Sequence, residues 1–108
     1  MIELTNPKNG TRIQIADSDL ELKFDWKNAT VACTAIGDGW RLPSQQELEL
    51  IYIEIHKKGK GNFKQDYYWS SNAAGYDDTA WYYCFKDKGF SYSVSKSKFF
   101  YVRPVREL

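Results

Sequence analysis

The stretch Gly37-Asp38-Gly39-Trp40-Arg41-Leu42-Pro43-Ser44-Gln45-Gln46-Glu47-Leu48 leaves the chain few conformational choices. Glycines just past a helix accept the left-handed backbone that closes it, so Gly37 and Gly39 stop whatever helix precedes them. Pro43 pushes Leu42 toward extended geometry. Ser44 and Glu47 have the spacing of a capping box, and Pro43 and Leu48 occupy the matching staple positions. The block therefore predicts a helix, a stop, a short extended link and a second helix.

Both helices are legible on either side. Asp25 or Trp26 opens the first, and Trp26, Ala29, Ala32, Cys33 and Ile36 fall on one face at helical spacing. The second carries Leu48, Ile51, Tyr52 and Ile55 as its buried stripe and ends near Lys57-Lys58-Gly59. Residues 11–15 and 20–24 alternate polar and apolar instead, which is the period of a strand. Strands are expected over residues 11–15, 20–24, 67–70, 80–85, 90–94 and 99–105. On the strand from Ala80 to Phe85, Trp81, Tyr83 and Phe85 share one face and Ala80, Tyr82 and Cys84 the other. Asp87-Lys88-Gly89 reads as a hairpin turn, and Pro104 places the end of the last strand at an edge. Polar loops fill residues 57–66, 72–78 and 95–98. Helices segregated from hairpin-connected strands make an α+β domain, and 108 residues make one such domain, 1–108.

Charge and hydropathy exclude several roles. Lys plus Arg is 15 and Asp plus Glu is 14. This balance argues against a dedicated nucleic-acid binder, whose footprint is strongly basic. No apolar run approaches the ~20 residues that cross a bilayer, so no membrane insertion is expected. The start Met1-Ile2-Glu3-Leu4 lacks the basic and apolar regions of a signal peptide. Aromatic residues make up 17% of the chain. Some of these rings should fill a core, and others can serve as surface platforms, a dual use to which Tyr is suited.

Five short blocks then occur in order. They are Trp26 with Ala29 and Cys33; Gly39-Trp40-Arg41-Leu42-Pro43-Ser44 with Glu47-Leu48; Tyr68-Trp69-Ser70-Ser71; Ala80-Trp81 with Phe85 and Gly89; and Tyr101-Val102-Arg103-Pro104-Val105-Arg106. Over about residues 24–106 this pattern resembles the bacterial family typified by the C-terminal domain of the Legionella collagen-like adhesin. It is also similar to the Fibrobacter succinogenes major paralogous domain. The resemblance implies a C-type-lectin-like fold: two helices on a twisted antiparallel sheet, N- and C-terminal strands that meet, and long loops. It further implies a bacterial or phage origin, a cell-surface, secreted or phage-associated setting, and a role in display or adhesion. In the named adhesin the domain is a trimer that binds sulfated glycans, so a homo-oligomer, including a trimer, is one expectation.

Catalysis finds little support in the residues. The single His56 lies at the polar end of the second helix beside Lys57 and Lys58, and reads as an exposed residue of a charged helix end. Ser70 and Ser71 read as turn residues with no base beside them. The closely spaced reactive cysteine pair of formylglycine-generating enzymes, which share the broad fold, is missing. No catalytic residue is assigned and the domain is expected not to be an enzyme. Cys33 and Cys84 fit two arrangements, a pair of buried thiols or a disulfide clamping the first helix to the sheet. Zinc is not expected from two cysteines and one distant histidine. Asn72, Asp77 and Asp78 share a loop, but the sugar-binding signatures of calcium-dependent lectins (Glu-Pro-Asn, Gln-Pro-Asp, Trp-Asn-Asp) are absent, so no metal or cofactor is expected.

Trp26, Trp40, Arg41, Trp69, Trp81 and Phe85 are assigned to the structural core. Arg41, held between Trp40 and Leu42, should need carbonyl or carboxylate partners. The loops carry the binding candidates. Lys57, Lys58, Lys60 and Lys64 flank Phe63; Tyr76 tips the second loop; and Lys86, Lys88, Lys96 and Lys98 flank Phe90 and Tyr92. If these loops converge they form a basic, aromatic surface on a near-neutral protein, suited to an anionic or sulfated glycan or to a protein surface. The alternative is an assembly subunit of a phage or surface appendage, with the same rings as interface anchors.

Overall fold

The computed structural model describes residues 2–76, 78–86 and 88–108. Its elements are β1 (Ile2–Thr5), β2 (Arg12–Ile15), α1 (Trp26–Ile36), α2 (Gln45–Glu54), a 3-10 turn (His56–Lys58), β3 (Tyr67–Ala73), β4 (Thr79–Cys84), β5 (Phe90–Ser95) and β6 (Val105–Glu107). They form an α+β fold with two antiparallel three-stranded sheets, ordered β1-β2-β6 and β3-β4-β5.

The helix signals operate as the sequence suggests. The Asp25 carboxylate accepts the Asn28 amide at 2.9 Å and starts α1, and Gly37, at φ 84°, ends it. At α2 the box is closed both ways: the Glu47 amide donates to Ser44 Oγ at 3.1 Å, and the Ser44 amide donates to Glu47 Oε1 at 2.8 Å. α2 stops at Glu54, short of the expected Lys57-Lys58-Gly59. The chain tightens into the 3-10 turn and closes at Gly59, φ 74°.

Three strand expectations change. The residues of β1 were not read as a strand, yet they pair along β2 from Ile2↔Ile15 to Thr5↔Arg12. Residues 20–24 form no strand; Phe24 makes a single bridge to Phe100, and Leu22 is 67% exposed. Residues 99–105 are not one strand either. This segment threads the molecule and changes partner as it goes. Phe100 bonds Phe24, Tyr101 bonds Tyr67 and Trp69, Val102 accepts from Leu20, Pro104 accepts from Ala16, and Val105 pairs with Arg41. Hydropathy alone cannot separate a ladder strand from such a spine, because a continuous buried run such as Val102 to Val105 is compatible with either.

The interior divides into two clusters. One holds Ile13, Ile15, Leu48, Ile51, Tyr52, Tyr68, Tyr83, Phe85 and Val105, with Leu4 at its margin. The other holds Ala29, Cys33, Leu42, Trp69, Ala80 and Val102, with Trp26, Tyr82 and Phe100 packed against it. The alternation of β3 and β4 supplies both, since Tyr68 and Tyr83 point one way and Trp69, Ala80 and Tyr82 the other. Trp69 and Phe85 are buried as expected. Trp26 is half-buried and donates from Nε1 to the Ser70 carbonyl at 2.8 Å.

Trp40 and Trp81 correct the core assignment. Both are half-buried and belong to neither cluster. The Arg106 guanidinium covers the Trp40 ring at 4.9 Å. Trp81 does not share the buried setting of Tyr83 and Phe85, although it lies on their face of β4. Arg41 meets its expectation of a partner, with both guanidinium nitrogens on Glu47, at 2.8 and 2.9 Å. Cys33 and Cys84 are separate buried thiols and form no disulfide.

Candidate functional site

The β-hairpins sort the loops into two groups at opposite ends of the second sheet. β4 runs from Thr79 to Cys84, a span of roughly 17 Å at the usual strand rise. At its beginning, the Thr79 amide donates to Tyr76 and the Lys96 amide to Asp78, which ties the second and third loops together. At its far end, the Phe85 amide donates to Asp66, which fixes the loop over residues 57–66 beside the β4–β5 turn. The expected single surface therefore does not form. Tyr76, 81% exposed, sits away from the lysines of residues 57–64. Asp77 and Asp87 lie outside the described residues.

The far end holds a cleft of about 510 Å³, lined by Tyr52, His56, Lys57, Gly59, Lys60, Asn62, Phe63, Gln65 and Phe85. Its floor is a stack of rings. Phe63 packs on Phe85 at 5.1 Å between centroids, His56 on Phe85 at 5.2 Å, and Tyr52 on His56 at 5.6 Å. His56 is half-buried here rather than exposed. Its Nε2 lies 2.9 Å from the Phe85 carbonyl, which can only accept, so that nitrogen carries the proton. The turn after β4 closes the near side: a Cβ on Gly89 would come within 2.6 Å of the Tyr52 ring, so only glycine lets this backbone lie there. Lys88, adjacent in the chain, is exposed beside that wall.

Of the predicted binding residues, Lys60 and Phe63 line the cleft. Lys57, named with them as a lysine flanking Phe63, lines it too. His56, Tyr52, Asn62 and Gln65 join them, and sequence reasoning missed these four because nothing in the linear pattern marks which residues face inward. Phe63 is not a free platform, for it is half-buried with the Arg103 guanidinium 4.0 Å above its ring. Lys58 turns to Glu54 at 3.1 Å, one helical turn back. Lys64 turns to Asp19 at 3.1 Å and lies 4.8 Å from the Tyr101 ring. Lys57 and Lys60 have no carboxylate partner among the described residues. Phe90 and Tyr92 stand on the edge strand β5, 39% and 61% exposed, with their rings 5.3 Å apart.

Arg103 was also missed as a key residue. It is buried and donates to Asp19 Oδ1 at 2.8 Å, to the Ala16 carbonyl at 3.1 Å, to the Gly61 carbonyl at 2.9 Å and to the Asn62 carbonyl at 3.2 Å. A lone charge inside the run Phe99-Phe100-Tyr101-Val102-Arg103-Pro104-Val105 was the available signal, since such a group requires a buried partner.

The family described as the Lcl C-terminal domain matches residues 7–106. The chain belongs to the Lcl C-terminal domain family. This makes it an adhesin-related bacterial domain, and the match extends the resemblance toward the N-terminus to include β2. Comparison with curated proteins found no match. For an Lcl C-terminal domain, the pairing of β1 and β6 on either side of β2 brings the two ends of the chain into one sheet. No helix among the described residues is long and apolar enough to cross a membrane.

Proposed function

We propose that the domain is a non-catalytic binding module whose cleft over residues 57–65 takes an anionic glycan. The observation that carries this reading is the pair Lys57 and Lys60, two cations with no carboxylate partner among the described residues, on the rim of a cleft floored by rings. The packed rings give the cleft a rigid apolar floor, at which half-buried His56 and Phe63 keep some exposed edge for a sugar ring, and the ammonium groups suit sulfate or carboxylate substituents. Asn62 and Gln65 add neutral donors and acceptors on the same wall. Family membership in an adhesin-related domain supports binding as the role.

Titrating the domain with a sulfated oligosaccharide by calorimetry tests the reading. The double variant Lys57→Ala/Lys60→Ala is expected to weaken binding about tenfold, the size of a ~1.4 kcal/mol loss, with the melting temperature unchanged. Affinity of the native domain should also fall with added salt. Equal affinity in the native and variant proteins would rule out the cleft.

A second reading, an assembly subunit, draws on Phe90 and Tyr92, which lie exposed on an edge strand. Light scattering on the native domain and on Tyr92→Ser decides it, because a self-assembling domain would lose mass in the variant.

A further inference from the structure

We infer that Arg103, Asp19 and Tyr68 form a buried strut that sets the shape of the cleft loop, which makes Arg103 a positioning residue for whatever lodges there. The functional half of this inference rests on the cleft being the binding site; the conformational half does not.

Backbone bonds hold the start of the loop as far as Lys60, whose amide donates to the Ile55 carbonyl at 3.1 Å, and among the described residues none of that kind holds residues 61–64. Gly59, Gly61 and Asn62 all adopt left-handed backbone, at φ 74°, 82° and 53°. For Asn62 this conformation is an uncommon one that surroundings must support. The support comes from below. Arg103 directs one nitrogen to the Gly61 carbonyl and another to the Asn62 carbonyl. Its planar face covers Phe63, the ring that follows them. Three consecutive loop residues are thus held by one side chain. Only a guanidinium, with donors fanned in a plane, can reach both carbonyls and a carboxylate together.

The strut is fixed in turn by Asp19. One carboxylate oxygen takes Arg103 Nε; the other takes the Tyr68 hydroxyl at 2.8 Å and Lys64 Nζ at 3.1 Å. Tyr68 closes the circuit, since its hydroxyl oxygen accepts the Lys64 backbone amide at 2.9 Å. The loop is therefore pinned at Gly61 and Asn62 by Arg103 and at Lys64 by Tyr68. Arg103 and Tyr68 lie on or beside the central spine and β3, which carry the fold. Lys57 and Lys60 are held on one side by the 3-10 turn and the Lys60 amide bond to Ile55, and the strut fixes the backbone on their C-terminal side, which is the far wall of the cleft.

Tyr68→Phe is the cleanest probe, because it deletes one oxygen and leaves the ring in the core. Hydrogen exchange followed by mass spectrometry is expected to show amides of residues 60–65 exchanging about tenfold faster, with α1 unchanged. Arg103→Lys should do the same, since it keeps a charge opposite Asp19 but cannot span both carbonyls. Affinity for the sulfated oligosaccharide should fall about threefold in Tyr68→Phe with Lys57 and Lys60 intact. Loop exchange that stays at the native rate, or that rises equally across the domain, would overturn the strut. Faster loop exchange with unaltered affinity would overturn the positioning role. A native domain that binds no probe would defeat the binding reading instead, and the exchange rates would still decide the strut.

Discussion

Cys33 sits in the middle of the α1 contact surface with no exposed area, and burial raises its thiol from an ordinary 9.0 to about 12. The sign of the consequence follows. In the unfolded chain the thiol ionises above about pH 9, whereas the folded domain holds the proton well beyond that. Its contribution to stability is complete below the unfolded value and is lost as pH rises toward the folded one, at up to ~1.4 kcal/mol per pH unit. Burial also raises Tyr83 to about 12 and raises Tyr68, so both act in the same direction. The native domain should therefore leave Cys33 unmodified by iodoacetamide at pH 8, with alkylation appearing only with unfolding. Its midpoint in urea should drop steadily between about pH 9 and pH 12.

The α2 start shows how far element-level reasoning reaches. Ser44→Ala removes the acceptor for the Glu47 amide and is expected to cost about 1 kcal/mol in chemical denaturation. Burial works to raise the Glu47 carboxyl, but the hydrogen bonds from Arg41 and Ser44 outweigh it and leave it below the ordinary value. That contribution is present above the usual carboxylate range, near pH 4.3, and is lost as pH falls through the lower folded value. Glu47→Gln should be less stable than the native domain at pH 7, and the gap should narrow at pH 3. Both helices were readable because caps, stops and stripes are local signals, set by neighbours three or four residues away. The spine over residues 99–104 was not, because its partners come from Ala16, Leu20, Phe24, Tyr67 and Trp69, and no local pattern names them. For the same reason Lys60 and Phe63 could be picked out as loop residues of the right chemistry, while the separation of Tyr76 from them followed from which end of β4 each loop leaves.

Across the whole molecule, the two clusters cannot come apart independently. Neighbouring residues on β3, Tyr68 and Trp69, face different clusters, and Val102 and Val105 on one segment do the same. Tryptophan fluorescence, to which buried Trp69 contributes, should therefore report the same urea midpoint as far-UV circular dichroism, and Leu48→Ala, in the cluster without Trp69, should move both together by the equivalent of ~2–5 kcal/mol. The sheet that joins the ends has a mechanical corollary. β1 and β6 both run antiparallel to β2, with Ile2 and Val105 each opposite Ile15 and Glu107 opposite Ile13. Tension applied through Ile2 and Glu107 draws the outer strands along β2 in opposing directions. The load falls in shear on every rung of both ladders at once, because those bonds lie across the strands. A domain tethered in this way resists being pulled open where one that peels rung by rung would yield.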